Sequence, residues 1–254
     1  LRRSRGLGDV YKRQVLIKLM ILKAKKISKH YGKKTILQFI DTEINVNSVS
    51  GLLGPNGAGK TTFFYILAGL LQPSEGEIIF NQKVITDKTI RERANLGIVF
   101  LPQEPSIFRN LTVLDNIKSA FEVQKLDQRE LSSRTEEIIE DFDIGSITSQ
   151  KGGELSGGQR RRVEIARSIA LNPKFIMLDE PFAGIDPIAI LELKNLIKKL
   201  SNKGLGILIS DHNVKATMDI CSEIYIISEG SIISRGTPDE VSNNEIVKKT
   251  YLGE

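Results

Sequence analysis

Between Ile21 and Val46 the chain alternates apolar and polar residues among β-formers, in "ILKAKKISKHYGKKTILQFIDTEINV". This period of two predicts short strands meeting at "YGKK". "VSGLLG" (49–54) is an apolar run of the kind buried on both faces, and it ends in a glycine loop. The spacing then turns helical in "KTTFFYILAGLL" (60–71), which is closed by the turn chemistry of "QPSEGE" (72–77). "EIIF" (77–80) and "LGIVFLPQ" (96–103) predict further strands. So do "KFIMLDEP" (174–181) and "LGILISDH" (205–212), apolar runs that end in polar residues. From 104 to about 153 the chain is more charged and carries amphipathic patterns such as "RTEEIIEDF", which predict a helical insert. "EIYIISEGSIISRG" (223–236) predicts a hairpin. "TPDE" (237–240) predicts a helix start, with Thr237 as N-cap, Pro238 at the first helical position and Glu240 closing a capping box. Strands alternating with helices give an α/β fold with a mainly parallel sheet.

At 254 residues, the chain is long enough for a full core. No apolar run approaches the roughly 20 residues of a membrane helix, so a membrane role is expected to go through a partner. The only cysteine, Cys221, excludes an intrachain disulfide and a CxxC metal site and fits a reducing cytoplasm. The net charge of +5 suggests nucleic acid, but Arg2, Arg3, Arg5, Lys12, Arg13 and Lys18 against Asp9 account for all of it. Residues 20–254 are neutral, which argues against a broad phosphate-binding surface. Residues 1–19 have no clean apolar core of a signal peptide, because Lys18 interrupts "VLIKLMIL". They are expected to be a non-native or disordered leader, with translation naturally starting at Met20.

"GPNGAGKT" (54–61) fits G-x-x-x-x-G-K-[ST] and lies between a predicted strand and a predicted helix, the context a phosphate loop requires. Its glycines let backbone N–H groups turn toward phosphate, and the helix N-terminus adds a favourable dipole. Lys60 would pair with the β/γ-phosphates and the Thr61 hydroxyl would sit on Mg²⁺. Asp179 and Glu180 end an apolar strand; Asp179 would hold Mg²⁺ through water and Glu180 would polarise the attacking water. The alternative is a plain strand end. His212 and Gln103 also end predicted strands, and ligands of doubly wound sheets bind beyond those carboxyl ends. Tyr31 is either an adenine-stacking aromatic or a half-buried core residue. Ser156, Gly157 and Gly158 open a second glycine turn before "QRRRVEIARSIAL". Arg160, Arg161 and Arg162 in its first turn oppose the helix dipole, which an anion docked there would offset. The other reading is three solvated arginines on a surface helix.

With these motifs in order, residues 20–254 resemble the ATP-binding subunit of an ABC transporter: phosphate loop, glutamine loop (Gln103), "LSGGQ" signature, Walker B strand with Glu180, "AGIDP" turn (183–187) and switch His212. The resemblance implies a P-loop NTPase with a RecA-like core, an N-terminal antiparallel β subdomain and a helical subdomain inserted at about 104–158. It implies ATP and Mg²⁺, with nucleotide contacts from Tyr31, Gly54, Pro55, Asn56, Gly57, Ala58, Gly59, Lys60, Thr61 and Thr62. Thr61, Gln103 and Asp179 would serve the metal, and Glu180, His212 and Gln103 the catalysis. It implies a head-to-tail homodimer in which Ser156, Gly157, Gly158 and Gln159 bind the γ-phosphate held by the opposite chain, and Asp186 bridges the two sites. Two membrane-spanning permeases would dock near Ser106, Ile107, Phe108 and Arg109, on the cytoplasmic face of the inner membrane, without membrane insertion of this chain and without nucleic acid. Within the family, "LPQEPSIFRNLTVLDNI", "LDEPFAGIDPI", "GLGILISDHNV" and "YLGE" look most like the ATPases that power lipopolysaccharide export. Branched-chain amino acid import and a soluble ABC ATPase acting on ribosomes or DNA are the alternatives. One departure concerns the turn before the phosphate-loop strand: "VNSVSGLLG" lacks the usual Gly-Glu and is two residues short, so that turn must be built differently.

Overall fold

The computed structural model describes residues 20–124 and 126–249; the leader expected over 1–19 and the terminal "YLGE" lie outside the described residues. Among the described residues, ten strands form two sheets. The first is antiparallel, in the order β2-β1-β4-β5, from β1 (Ile21–Tyr31), β2 (Lys34–Asn45), β4 (Glu75–Phe80) and β5 (Lys83–Val84). The sequence predicts short strands here, yet β1 and β2 run for 11 and 12 residues. Register shifts between Ala24 and Ile27 and onward to His30 explain the difference. Each bulge resets the inside–outside alternation, so one long strand reads as several short ones. Lys26 (φ 50°) and Phe39 (φ 51°) sit in the left-handed region within these bulged strands.

The second sheet has the order β10-β9-β3-β8-β7-β6. It contains β3 (Val49–Leu53), β6 (Ile98–Leu101), β7 (Phe175–Asp179), β8 (Gly206–Ser210), β9 (Glu223–Ser228) and β10 (Ser231–Gly236). All neighbours are parallel except the β9–β10 hairpin. Every residue of β3, β7 and β8 is buried, which is why these strands read as continuous apolar runs. Along β7, Phe175 and Met177 face one core while Ile176 and Leu178 face the other. The first core packs against the antiparallel sheet and α1 (Lys60–Ala68). The second packs against α3 (Val113–Phe121), α4 (Gln128–Asp141), α5 (Gly157–Ala170) and α6 (Pro187–Asn202). Short helices α2 (Ile90–Asn95), α7 (Val214–Met218), α8 (Pro238–Ser242) and α9 (Glu245–Val247) complete the described chain. Thr237, Pro238 and Glu240 form the capping box that the sequence predicts.

The shortened turn before β3 is built on asparagine. Asn47 takes φ 59°, a conformation asparagine tolerates better than most residues, and the Ser48 hydroxyl donates to the Asn45 carbonyl at 2.7 Å. The strand therefore still enters the sheet correctly, with the Ile207 N–H donating to the Ser48 carbonyl.

The far end of α1 is held by a residue the sequence does not flag. Arg93 is fully buried and donates to the carbonyls of Ile66, Leu67, Thr86 and Lys88 at 2.6–3.0 Å. Burial pushes its guanidinium down to about 10. Replacing it with Met strands carbonyls at a helix C-terminus in a dry interior. Arg93→Met is expected to lower the unfolding free energy by about 3 kcal/mol, since each orphaned buried acceptor costs roughly 1–3 kcal/mol. Urea denaturation measures this; an unchanged midpoint would mean water replaces the guanidinium.

Candidate active site

The loop between β3 and α1 wraps an ammonium group. Lys60 Nζ is buried and donates to the carbonyls of Gly54 (2.7 Å) and Pro55 (2.9 Å). Burial lowers its pKa below the usual lysine value, while Glu180 and Asp179 pull the other way. Gly59 has φ 107°, and a Cβ there would lie 2.6 Å from Leu37, so no other residue fits. The N-terminus of α1 has no side-chain cap and no acid in its first turn. Its positive end is left for an anion. Thr61 is exposed beside it, Pro55 and Thr62 are half-buried, Asn56 and Gly57 are exposed, and Ala58 is buried.

Across from this loop, the ends of β6, β7 and β8 converge as the topology rule requires. Glu180 is the centre: Gln103 Nε2 donates to its Oε2 at 2.6 Å, and His212 Nε2 lies 2.5 Å from its Oε1. Glu180 takes φ 47°, an unfavourable region for a non-glycine residue, held there by its N–H donating to the Ser210 carbonyl at 2.7 Å. Asp179 is buried, and its carboxyl is pushed up to about 6 by desolvation and then by the Glu180 charge, with Arg161 and Lys60 opposing. Asp211, which sequence reasoning passes over, fastens the two loops together. It accepts from the Phe182 N–H and the Asn213 N–H, both at 2.8 Å. Its signal was an acid at the end of an apolar run, the same one that marks Asp179.

The second glycine turn is tighter than the sequence suggests. Ser156 caps α5: the Gln159 N–H donates to its Oγ (3.3 Å), and Gln159 Oε1 accepts from the Ser156 N–H (3.0 Å). The serine hydroxyl proton stays available. A Cβ on Gly158 would lie 2.5 Å from that of Ala189, so the glycine is required where α5 abuts α6. Asp186 caps α6 by accepting from the Ile188 and Ala189 N–H groups. The reading of three solvated arginines is corrected here. Arg161 is only 6% exposed and donates to the carbonyls of Pro102 (3.0 Å) and Asp179 (2.8 Å) and to Glu164 (3.3 Å). Arg162 pairs with Glu192. Glu164 in turn accepts from the Ser106 N–H (2.7 Å) and Ile107 N–H (3.3 Å), and Arg167 donates to the Ser106 carbonyl (2.6 Å). One face of α5 thus ties the loop after β6 to the end of β7. Helical spacing of charges was the only hint in the sequence.

Of the four expected docking residues, Ile107 is corrected to a core position: it is 7% exposed and packs inward. Ser106 is half-buried, and Phe108 (47% exposed) and Arg109 lie at the surface, with the Arg167 guanidinium 4.4 Å from the Phe108 ring centroid. Tyr31 is 54% exposed at the end of β1, which removes the core reading; Lys29 Nζ lies 5.1 Å from its ring centroid. Among the described residues, no helix is long and apolar enough to cross a membrane.

A buried lysine in a strand–glycine loop–helix unit, facing an Asp-Glu strand end, defines a P-loop nucleotide-hydrolysing protein. More narrowly, the chain belongs to the ABC transporter family, whose profile matches residues 37–183, and it is an ATP-binding subunit that hydrolyses ATP. The lipopolysaccharide export system ATP-binding protein LptB of Haemophilus influenzae is 48% identical over 237 residues, 93% of this chain and 98% of that one. The ADP conformation of MJ1267, an ATP-binding cassette of an ABC transporter, superimposes with a TM-score of 0.82 at 30% identity, over 92% of this chain and 99% of that one. A dimeric structure of the bacterial ABC transporter cassette MJ0796 matches with a TM-score of 0.76 at 25% identity, over 85% of this chain and 98% of that one.

Proposed function

We propose that this protein powers lipopolysaccharide export from the inner membrane as a homodimeric Mg²⁺-dependent ATPase, bound to two membrane-spanning permeases on the cytoplasmic face. The observation that carries the catalytic part is the Glu180 carboxylate held between Gln103 and His212, next to Asp179 and opposite Lys60. The cargo rests on the likeness to the Haemophilus influenzae export protein over nearly the whole of both chains.

In this reading Tyr31 stacks on adenine, and the 54–62 loop with Lys60 cradles the phosphates. Glu180 accepts the proton of the attacking water, and His212 and Gln103 orient the reacting groups. Thr61, Gln103 and Asp179 offer only hard oxygen donors. Among the described residues, no cluster of three His, Cys, Asp or Glu side chains could hold a metal alone. That donor set fits Mg²⁺, which is usually bound by one or two protein groups plus substrate phosphates. When bound, the ion would neutralise charge developing on the phosphates. Ser156, Gly157, Gly158 and Gln159 of one chain close on the ATP of its partner, and Asp186 lies between the two sites. This gives the second glycine turn its purpose, because a single chain needs only one phosphate cradle.

Two measurements separate the parts of this reading. Purified protein should hydrolyse ATP with Mg²⁺ and stop on chelation. In a strain depleted of the Haemophilus influenzae relative, this chain should restore lipopolysaccharide export. An active ATPase that fails to restore it would remove the cargo and leave the enzyme.

Phe108→Ala tests the docking surface. The ring is half-exposed, so its loss should leave isolated ATPase activity within about twofold, as for surface substitutions away from the chemistry. Assembled with permeases, transport should fall by about tenfold or more, the loss expected for an aromatic anchor of an interface. Equal transport by the variant would place the contact elsewhere.

A further inference from the structure

The ring of His212 is half-exposed, so packing alone does not aim it at Glu180. Its direction comes from the backbone, and a neighbouring carboxylate sets that backbone. Asp211 is 3% exposed and spends both oxygens on main-chain N–H groups. Its Oδ1 accepts from the Asn213 N–H at 2.8 Å, which closes an Asx-turn with His212 as the middle residue. The following turn is closed as well. The Val214 N–H donates to the His212 carbonyl at 3.0 Å, with Asn213 at φ −78° and ψ 80°, close to an inverse γ-turn. Asp211 Oδ2 accepts from the Phe182 N–H at 2.8 Å. That is the first main-chain donor after Glu180, because Pro181 has none. The Glu180 N–H itself donates to the Ser210 carbonyl at 2.7 Å. Two tethers from the end of β8, one on each side of Pro181, therefore bracket Glu180 in its left-handed conformation at φ 47°.

We propose that Asp211 is a positioning residue for hydrolysis: its single carboxylate fixes the His212 ring against the Glu180 carboxylate. The inference rests on the roles proposed above for Glu180 and His212 and adds the group that keeps the two in register. They stand on the ends of different strands, β7 and β8, so their contact lasts only while both turns keep their places. An acid suits this task because both partners are N–H donors and both carboxylate oxygens can accept. An amide of the same size offers one acceptor, and its NH₂ would face the other N–H donor to donor. Asp211 touches neither the phosphate loop nor the Ser156 turn through its hydrogen bonds, so its effect should fall on the chemical step and not on the binding of ATP.

The test compares wild type with Asp211→Asn, His212→Ala and the double variant, each as the untagged full chain. Asp211→Asn should lower kcat by about tenfold, the effect of one buried donor left unpaired, and leave KM for ATP within about twofold. In the His212→Ala background the same substitution should cost less than about twofold, because the ring it positions is gone. The chain has two histidines, His30 and His212, so imidazole NMR signals read the ring directly, with or without turnover. Asp211→Asn should shift and broaden the His212 signals and leave those of His30 in place. An equal loss of rate in the His212→Ala background, a raised KM with kcat unchanged, or an unmoved His212 signal would each overturn the proposal. So would a collapse of both histidine signals, which would make Asp211 a residue of the fold alone. A wild-type rate in His212→Ala would remove the catalytic role of His212 and leave the ring signals to decide the positioning.

Discussion

Glu180→Gln is expected to slow ATP hydrolysis by about 10²–10⁴-fold, the usual worth of a positioned general base, while ATP binding persists and an ATP-bound dimer accumulates. The geometry makes this substitution unusually clean. Glutamine keeps the length and shape of the side chain, and it can occupy the left-handed backbone at φ 47° no less readily than glutamate. Its amide oxygen can accept from Gln103, as Glu180 Oε2 does at 2.6 Å, and its amide NH₂ can donate to a neutral His212. What disappears is the capacity to take a proton. Lys60, the α1 N-terminus and the Ser156 turn are untouched, so the contacts proposed to hold ATP between two chains remain. Rapid-quench hydrolysis together with size-exclusion chromatography in ATP checks both halves. Hydrolysis at the wild-type rate would exclude Glu180 as the base.

Asp179→Asn is expected to make the protein more stable and inactive at once. Desolvation and the neighbouring Glu180 raise the Asp179 carboxyl to about 6 in the native state, against 3.8 for the free group. The folded chain therefore holds this proton more tightly than the unfolded chain between those two values. Asp179's contribution to stability is full below about pH 4 and is lost as pH rises through about 6. At pH 7.5 the ionised group is a burden of about 1–3 kcal/mol, taking roughly 1.4 kcal/mol per unit of pKa. Asparagine removes that burden, so the variant should gain this amount at pH 7.5 and little at pH 4. It should also lose Mg²⁺-dependent hydrolysis, because the charge that is costly to bury is the one a cation needs. Urea titrations without nucleotide or metal at the two pH values measure the difference. A variant no more stable than wild type at pH 7.5 would show that the carboxylate is already compensated.

Much of the site is legible along the chain because its chemistry is local. The "GPNGAGKT" loop needs its glycines, lysine and threonine at fixed spacing, and Asp179, Glu180 and His212 each follow an apolar run. The β9–β10 hairpin and the Thr237 capping box are local for the same reason: their hydrogen bonds close within a few residues. The antiparallel sheet was less legible, since the register shifts along β1 hide the length of the strands.

Read along the chain, the sequence established the alternation of strands and helices, the phosphate loop and the family. Each of these is fixed by patterns a few residues wide. Only the tertiary structure decided which residues meet. It brought Gln103, Glu180 and His212 together across 77 and 32 positions of chain, turned Arg161 from a surface cation into the tie between Pro102 and Asp179, buried Ile107, and placed Arg93 under α1. The physical reason is the same in each case. A charge or amide in a dry interior must find its partner wherever the packing of distant elements puts one. That partner is chosen by strand order and helix contact, which no short window of sequence contains.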